Sequence, residues 1–283
     1  MVPAGFFNTY TLEDVVLGSG ITAVVRKGFL NTDYGDKVAV KIINKRNKDL
    51  QENKEFAYEV ELMKDLNHPN IMRARECFQN EYFIYIVMDY SNNGDLCSFI
   101  RKNGALNEER AKTWFHVLLK AVKYLHSNNI IHRDLKPENI LLHKTADGHF
   151  VLRIADFGVS RFLRTDSVCK TPVGTVMFRA PEVIESPHGY TKQADLWSCG
   201  CILYVMLNGK LPFITGGVVS SSMVDSLAQE EKWRSMPTAK SLLFGFLDIK
   251  PKNRLNLDDA LYHPWFTELS EVRSPDTKRQ KRK

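Results

Sequence analysis

With 283 residues, 43% of them hydrophobic and 25% charged, the chain has the composition of a soluble globular protein able to bury a core, which argues against a disordered chain. Its formal charge of +6 is concentrated at the end, where Arg273, Lys278, Arg279, Lys281, Arg282 and Lys283 face only Asp276, so nucleic-acid binding by the nearly neutral body is not implied. Five cysteines with no CxxC pair and no apolar leader fit a reducing, intracellular compartment, cytoplasmic or nuclear.

Taken in chain order, the first ninety residues alternate like strands, with apolar runs at Leu12–Leu17, Ala23–Val25, Val38–Ile43 and Phe83–Met88. Gly18, Gly20 and the cluster Asn31–Asp36 break these runs as turns do, predicting an antiparallel sheet. Between the third and fourth runs, Phe56, Val60 and Met63 recur at helical spacing and stop before His68–Pro69–Asn70, predicting one helix. The polar stretch Ser91–Gly94 marks a switch from strand-rich to helix-rich sequence, so a lobe boundary falls near residue 90 and a cleft is expected there. Further on, Ala111, Trp114, Phe115, Leu118, Val122 and Leu125 form the apolar stripe of an amphipathic helix. Ala194–Asn208 is apolar nearly all round and reads as a buried axis; its longest apolar run, Leu196–Leu207, is short of the roughly twenty residues a membrane span needs. The closing basic run is a nuclear localisation signal, a phosphate-seeking arm or a solvated end.

Residues with chemical potential cluster in four places. Leu17–Gly18–Ser19–Gly20 is a glycine-rich turn at a strand end, which serves either as an ordinary hairpin or as a close approach of backbone N–H groups to phosphate. Lys41 ends an apolar strand run, and Glu59 lies near the apolar face of the predicted helix, where a carboxylate needs a cation; a Lys41–Glu59 pair satisfies both. His132–Arg133–Asp134–Leu135–Lys136–Pro137–Glu138–Asn139 concentrates charge and an amide directly before apolar Ile140–Leu142. Combined with Asp156–Phe157–Gly158, it offers one carboxylate for the proton of a nucleophile, and the oxygens of Asp156 and Asn139 for a hard cation such as Mg²⁺.

In order along the chain, Gly18/Gly20/Val25, Lys41, Glu59, His132–Asn139, Asp156–Gly158, Ala180–Pro181–Glu182, Asp195 and Arg254 resemble the protein kinase family across residues 10–266. The resemblance implies an α+β, bilobal protein kinase fold: a small antiparallel-sheet lobe with one regulatory helix over about 10–90, and a larger, mainly helical lobe over about 91–266. A basic tail, 267–283, follows. It implies an ATP-dependent kinase with Mg²⁺ as cofactor and Mn²⁺ as a substitute. By the same resemblance, Lys41 holds the α- and β-phosphates and Glu59 holds Lys41. Asp134 orients the substrate hydroxyl and accepts its proton, with Lys136 beside it, and Asn139 and Asp156 bind the metal. Leu17, Gly18, Ser19 and Gly20 cover the nucleotide; Val25, Ala39 and Leu141 sandwich the adenine; Met88 is the gatekeeper, and Asp89 and Tyr90 form the hinge.

Lys136–Asn139 together with Gly174–Thr175 is similar to serine/threonine rather than tyrosine kinases, and Trp233–Phe266 resembles the calmodulin-dependent and AMP-activated kinase group. Protein substrates are implied, with an arginine three residues before the acceptor received by Asp95 and Glu138, and weak selection two residues before it because Val205 stands where some relatives carry glutamate. Thr171 is the expected activation-loop phosphothreonine, modified by an upstream kinase or by the chain itself, with Arg133 and Arg161 to receive the phosphate. Glu182 and Arg254 are expected to form a buried structural pair.

Overall fold

The computed structural model describes residues 5–20, 23–45, 65–156, 161–162, 176–185, 191–214 and 218–271. The predicted helix around Phe56–Met63, with Glu59, lies outside these residues, as do Phe157–Gly158, Thr171 and Gly174–Thr175.

The first part is a five-stranded antiparallel sheet of β1 (Tyr10–Ser19), β2 (Ala23–Leu30), β3 (Asp33–Asn44), β4 (Ala74–Gln79) and β5 (Phe83–Asp89), in the order β1-β2-β3-β5-β4. The four expected runs are there, but the strands extend past them. Asn31–Asp36 narrows to a turn at Asn31–Thr32, because Asp33–Asp36 already belong to β3. A one-turn helix, α1 (Phe6–Thr9), and β4 had no apolar run to announce them.

The period of two along β3 explains how the sheet is used. Val38 and Val40 point to one face, where they pack with Phe6, Tyr10, Tyr85 and Val87 in a small aromatic-rich core. Ala39 and Ile43 point to the other face and join Ile86, Met88 and the main core. Lys41 shares that second face by alternation, which directs the one charged residue of the run toward the larger lobe.

The larger lobe is built around α2 (Leu96–Asn103), α3 (Glu108–Ser127), α4 (Pro181–Glu185), α5 (Lys192–Asn208), α6 (Ser221–Ala228), α7 (Pro237–Phe246) and α8 (Leu257–Leu261). In α3 the Asn107 side chain accepts from the Arg110 N–H at 2.9 Å, and Glu108 and Glu109 favour the positive end of the helix dipole. Its predicted stripe is buried. Ala194 to Leu207 of α5 are all buried, and each large apolar side chain so removed from water contributes roughly 1.5–3 kcal/mol. Gly200 lets the end of α7 approach, since a Cβ there would stand 2.9 Å from Phe246, and Gly209 closes α5 in the left-handed region at φ 69.

Short strands inside this lobe carry the loops of interest: β6 (Ile130–Ile131) pairs with β9 (Arg161–Phe162), and β7 (Ile140–Lys144) with β8 (Phe150–Ile154). Residues 67–72 join the lobes. Ile71 bridges Ile154, the Met72 N–H donates to the Ile154 carbonyl at 2.8 Å, and Asn70 Nδ2 donates to the Leu152 carbonyl at 2.9 Å. Among the described residues, no helix is long and apolar enough to cross a membrane.

Candidate active site

The loop between β6 and β7 is held from below by one carboxylate. Asp195, fully buried in the first turn of α5, accepts from the backbone N–H groups of His132 at 2.9 Å and Arg133 at 3.0 Å, and meets His126 Nε2 at 2.8 Å. Burial alone would raise its pKa, yet the His126 contact, the nearby His132 and the Arg133 N–H outweigh that and hold it below the usual aspartate value. The anchored turn places Arg133 in the left-handed region at φ 72, an uncommon conformation for a residue with a side chain. His132 then connects two loops. Its Nδ1 accepts from the Asp134 N–H at 3.3 Å, so Nε2 carries the proton donated to the Ala155 carbonyl at 3.0 Å. The Ala155 N–H in turn donates to the Asn139 carbonyl at 2.8 Å.

This framework brings the predicted polar residues together. Lys136 Nζ lies 2.7 Å from Asp134 Oδ2, and Asn139 Nδ2 donates to the Asp134 carbonyl at 2.7 Å and to Oδ2 at 3.1 Å. Asp156, left-handed at φ 63, presents a half-exposed carboxylate whose Oδ1 is 3.0 Å from Lys41 Nζ. Residues from β3, the β6–β7 loop and the end of β8 thus meet at one cleft.

The donor set suits a hard divalent cation. Asn139 spends its NH₂ on Asp134, which leaves its carbonyl oxygen as a neutral ligand, and Asp156 supplies carboxylate oxygen. No three His, Cys, Asp or Glu converge among the described residues, so a cation here would complete its shell with phosphate oxygens and water.

Most of the residues expected to enclose the nucleotide belong to the five-stranded sheet. Gly18 pairs with Val25 and Ser19 with Val24, and the Gly20 N–H donates to the Ala23 carbonyl at 2.8 Å, closing the hairpin. Leu17 is exposed at the end of β1. Val25 pairs with Lys41, and Ala39 with Met88, so a small residue and the expected gatekeeper sit side by side on one face of the sheet. Leu141 rises from β7 and bridges Asp95. Beyond Tyr90, the chain is zipped onto β7: Asn92 exchanges side-chain bonds with the Lys144 backbone, the Asn93 N–H donates to the Leu142 carbonyl at 3.0 Å, and the Leu142 N–H to the Gly94 carbonyl at 2.8 Å.

Asp95 and Glu138 differ in their surroundings. Both oxygens of Asp95 accept from Ser98, from its N–H at 2.8 Å and its hydroxyl at 2.9 Å, so this carboxylate caps α2. Glu138 is exposed on the loop, and burial together with this neighbouring carboxylate pushes the Cys97 thiol up. Below the site, Arg254 is fully buried against Glu182 in a two-pronged pair at 2.6 and 2.7 Å and lies 5.1 Å over the Trp197 ring. Sequence reasoning passed over Ser91, whose hydroxyl is buried with no partner among the described residues, and Lys27 and Arg75, which touch Tyr90 and Asp89.

A single-chain sheet lobe over a helical lobe, with this carboxylate, amide and lysine set between them, defines a phosphotransferase cleft. Residues 11–266 match the protein kinase domain family, and the chain belongs to that family, among the eukaryotic serine/threonine kinases of the calmodulin-dependent kinase group. It is 35% identical over 280 residues to the serine/threonine-protein kinase cds1 of Schizosaccharomyces pombe, covering 92% of this chain and 59% of that protein. It is 34% identical to RAD53 of Saccharomyces cerevisiae over 33% of that protein's length, and 35% identical to myosin light chain kinase A of Dictyostelium discoideum over 90% of it. The crystal structure of Rad53 1–466 with AMP-PNP shares the fold at a TM-score of 0.72 and 32% identity, over 92% of this chain and 66% of that one. The chain thus spans only part of the length of cds1 and RAD53.

Proposed function

We propose that this chain transfers the γ-phosphoryl group of ATP to serine and threonine hydroxyls of protein substrates. The observation that carries the reading is the joint anchoring of Asp134, Lys136 and Asn139 to Asp156 and Lys41 through Asp195, His132 and Ala155. In the step, the substrate oxygen forms a bond to the γ-phosphorus as the bond to the bridging oxygen of ADP breaks. The hydroxyl proton passes to Asp134. Asp134, fixed on one side by Lys136 and Asn139, orients the hydroxyl, while the Lys136 and Lys41 ammonium groups stabilise negative charge on the phosphates. Asn139 and Asp156 would hold Mg²⁺, or Mn²⁺ in its place, which supplies charge neutralisation when bound. Leu17 to Gly20, Val25, Ala39, Met88, Asp89, Tyr90 and Leu141 would enclose the nucleotide, with Glu59 as partner to Lys41.

Glu138, with Asp95 beside it, would favour an arginine three residues before the acceptor. Phosphorylation of Thr171, by the chain itself or by an upstream kinase, would draw Arg133 and Arg161 to the phosphate and order the segment next to Asp134. The test of the central reading is phosphate incorporation from ATP, with Mg²⁺, into matched serine, threonine and tyrosine peptides. Incorporation into the first two supports it, and incorporation into none overturns it. Thr171→Ala and phosphatase treatment, run in the same assay, should both lower the rate; equal rates in all samples overturn the activation step.

A further inference from the structure

We propose that Arg75 and Lys27 are positioning residues for the adenine end of ATP, because they hold the two hinge residues, Asp89 and Tyr90, from opposite faces of the sheet. The inference rests on the reading of Met88 to Tyr90 as the adenine rim.

Arg75 reaches Asp89 through an irregularity in β4. The register runs from Ala74 opposite Met88 to Glu76 opposite Val87, so Arg75 is the extra residue of a bulge, and bulges re-aim the side chain they carry. Its Nε donates to Asp89 Oδ1 at 2.7 Å and its Nη1 to Asp36 Oδ2 at 2.6 Å, so one planar guanidinium bridges the last residue of β5 to β3. Asp89 pairs with Val38, whose side chain lies on the face away from the cleft. The bridge therefore grips the hinge from behind. The next residue, Glu76, receives the Tyr10 hydroxyl at 2.8 Å, which pins the bulge to β1.

Lys27 approaches from the other side. It pairs with Ala39 and shares the cleft face with it; its ammonium lies 2.8 Å from Glu13 Oε2 and 5.6 Å from the centre of the Tyr90 ring. Glu13 also holds Lys37 at 3.3 Å, so β1, β2 and β3 meet at the rim. Downstream, Asn92 to Asp95 are tied to β7, and His143 Nδ1 lies 3.2 Å from the Tyr90 carbonyl. The connection is thereby held on both sides of Ser91. A rim held in place before the base arrives binds more tightly, since less has to be ordered on binding.

The experiment compares affinity for AMP-PNP and for inorganic tripolyphosphate, both with Mg²⁺, in the full chain and in Arg75→Ala, Arg75→Lys and Lys27→Met, alongside KM for ATP, kcat and apo melting temperature. Arg75→Ala and Lys27→Met are each expected to weaken AMP-PNP by about three- to tenfold, leave tripolyphosphate unchanged and raise KM for ATP with kcat within about twofold. Arg75→Lys should recover part of the loss, because an ammonium cannot span both carboxylates in the guanidinium geometry. Unchanged AMP-PNP affinity in Arg75→Ala and Lys27→Met overturns the proposal, as does a parallel loss of tripolyphosphate binding, which marks general destabilisation. Should Arg75→Ala not fold, Lys27→Met decides by the same criteria. A wild-type chain that binds AMP-PNP no better than tripolyphosphate overturns the adenine-rim reading itself, and the clamp with it.

Discussion

At the scale of single residues, the proposed chemistry is divided between two carboxylates with different neighbours. Asp134 is nearly buried between Lys136 and Asn139, whereas Asp156 is half exposed and faces Lys41. Asp134→Asn should lower kcat by roughly 10²- to 10⁴-fold, the range expected for loss of a general base, with nucleotide affinity nearly intact. Asp156→Asn should instead weaken nucleotide binding only when Mg²⁺ is present; titrations with and without the metal check both. A second contrast concerns peptide selection. Because Asp95 already caps Ser98 with both oxygens, Glu138→Gln should reduce the preference for arginine three residues before the acceptor more than Asp95→Asn does. The loss should reach up to about fivefold in kcat/KM, the worth of an exposed ion pair of roughly 1 kcal/mol. A peptide array in which Glu138→Gln changes nothing would falsify this ordering.

Among the elements, α5 organises the site without touching the reacting atoms. Its first turn supplies Asp195 to the β6–β7 loop, its apolar length fills the core, and Arg254 stacks on its Trp197 while holding Glu182 of α4. Removing one partner of that buried pair leaves the other charge unmatched, so Arg254→Met should destabilise the fold by about 3–5 kcal/mol in urea unfolding. Asp195 has an acid signature. Its folded pKa is depressed, so the stability it contributes is present above the unfolded aspartate value near 4 and is lost as the pH falls through the lower, folded value. Melting temperatures measured downward from pH 5 should therefore fall more steeply for the wild type than for Asp195→Asn, which lacks this titration. Parallel curves would remove Asp195 from the acid response.

The whole molecule is two lobes sharing a core, joined at residues 67–72 and again along residues 90–95. Both joints are backbone pairing, the first to β8 and the second to β7. A nucleotide that contacts both lobes should stabilise the chain as a unit. AMP-PNP with Mg²⁺ at about 100 times its Kd should add about 2.7 kcal/mol in a single unfolding transition. Calorimetry checks this, and two transitions of which only one moves would mean that the lobes unfold separately.

The lobe division, the buried axis and the order of the polar motifs were legible in the residues alone, because each rests on local information: a period of two, a helical stripe, an unbroken apolar run, a fixed motif spacing. Lys41, Asp134, Asn139 and Asp156 could be singled out in the same way, since charge next to apolar strands is conspicuous. Other features depend on partners distant in the chain. Asp195 lies within an apolar helix, and only the fold shows that its carboxylate meets two N–H groups some sixty residues earlier. β4 and the pairs β6–β9 and β7–β8 are too short for a period to register, so pairing alone defines them. Asp95 and Glu138 look alike in sequence, yet tertiary structure makes one a helix cap and leaves the other exposed on its loop. The same is true of Arg75: a charged residue in an unremarkable stretch becomes a bridge between β3 and β5 because a bulge, a feature of register, turns it toward Asp89.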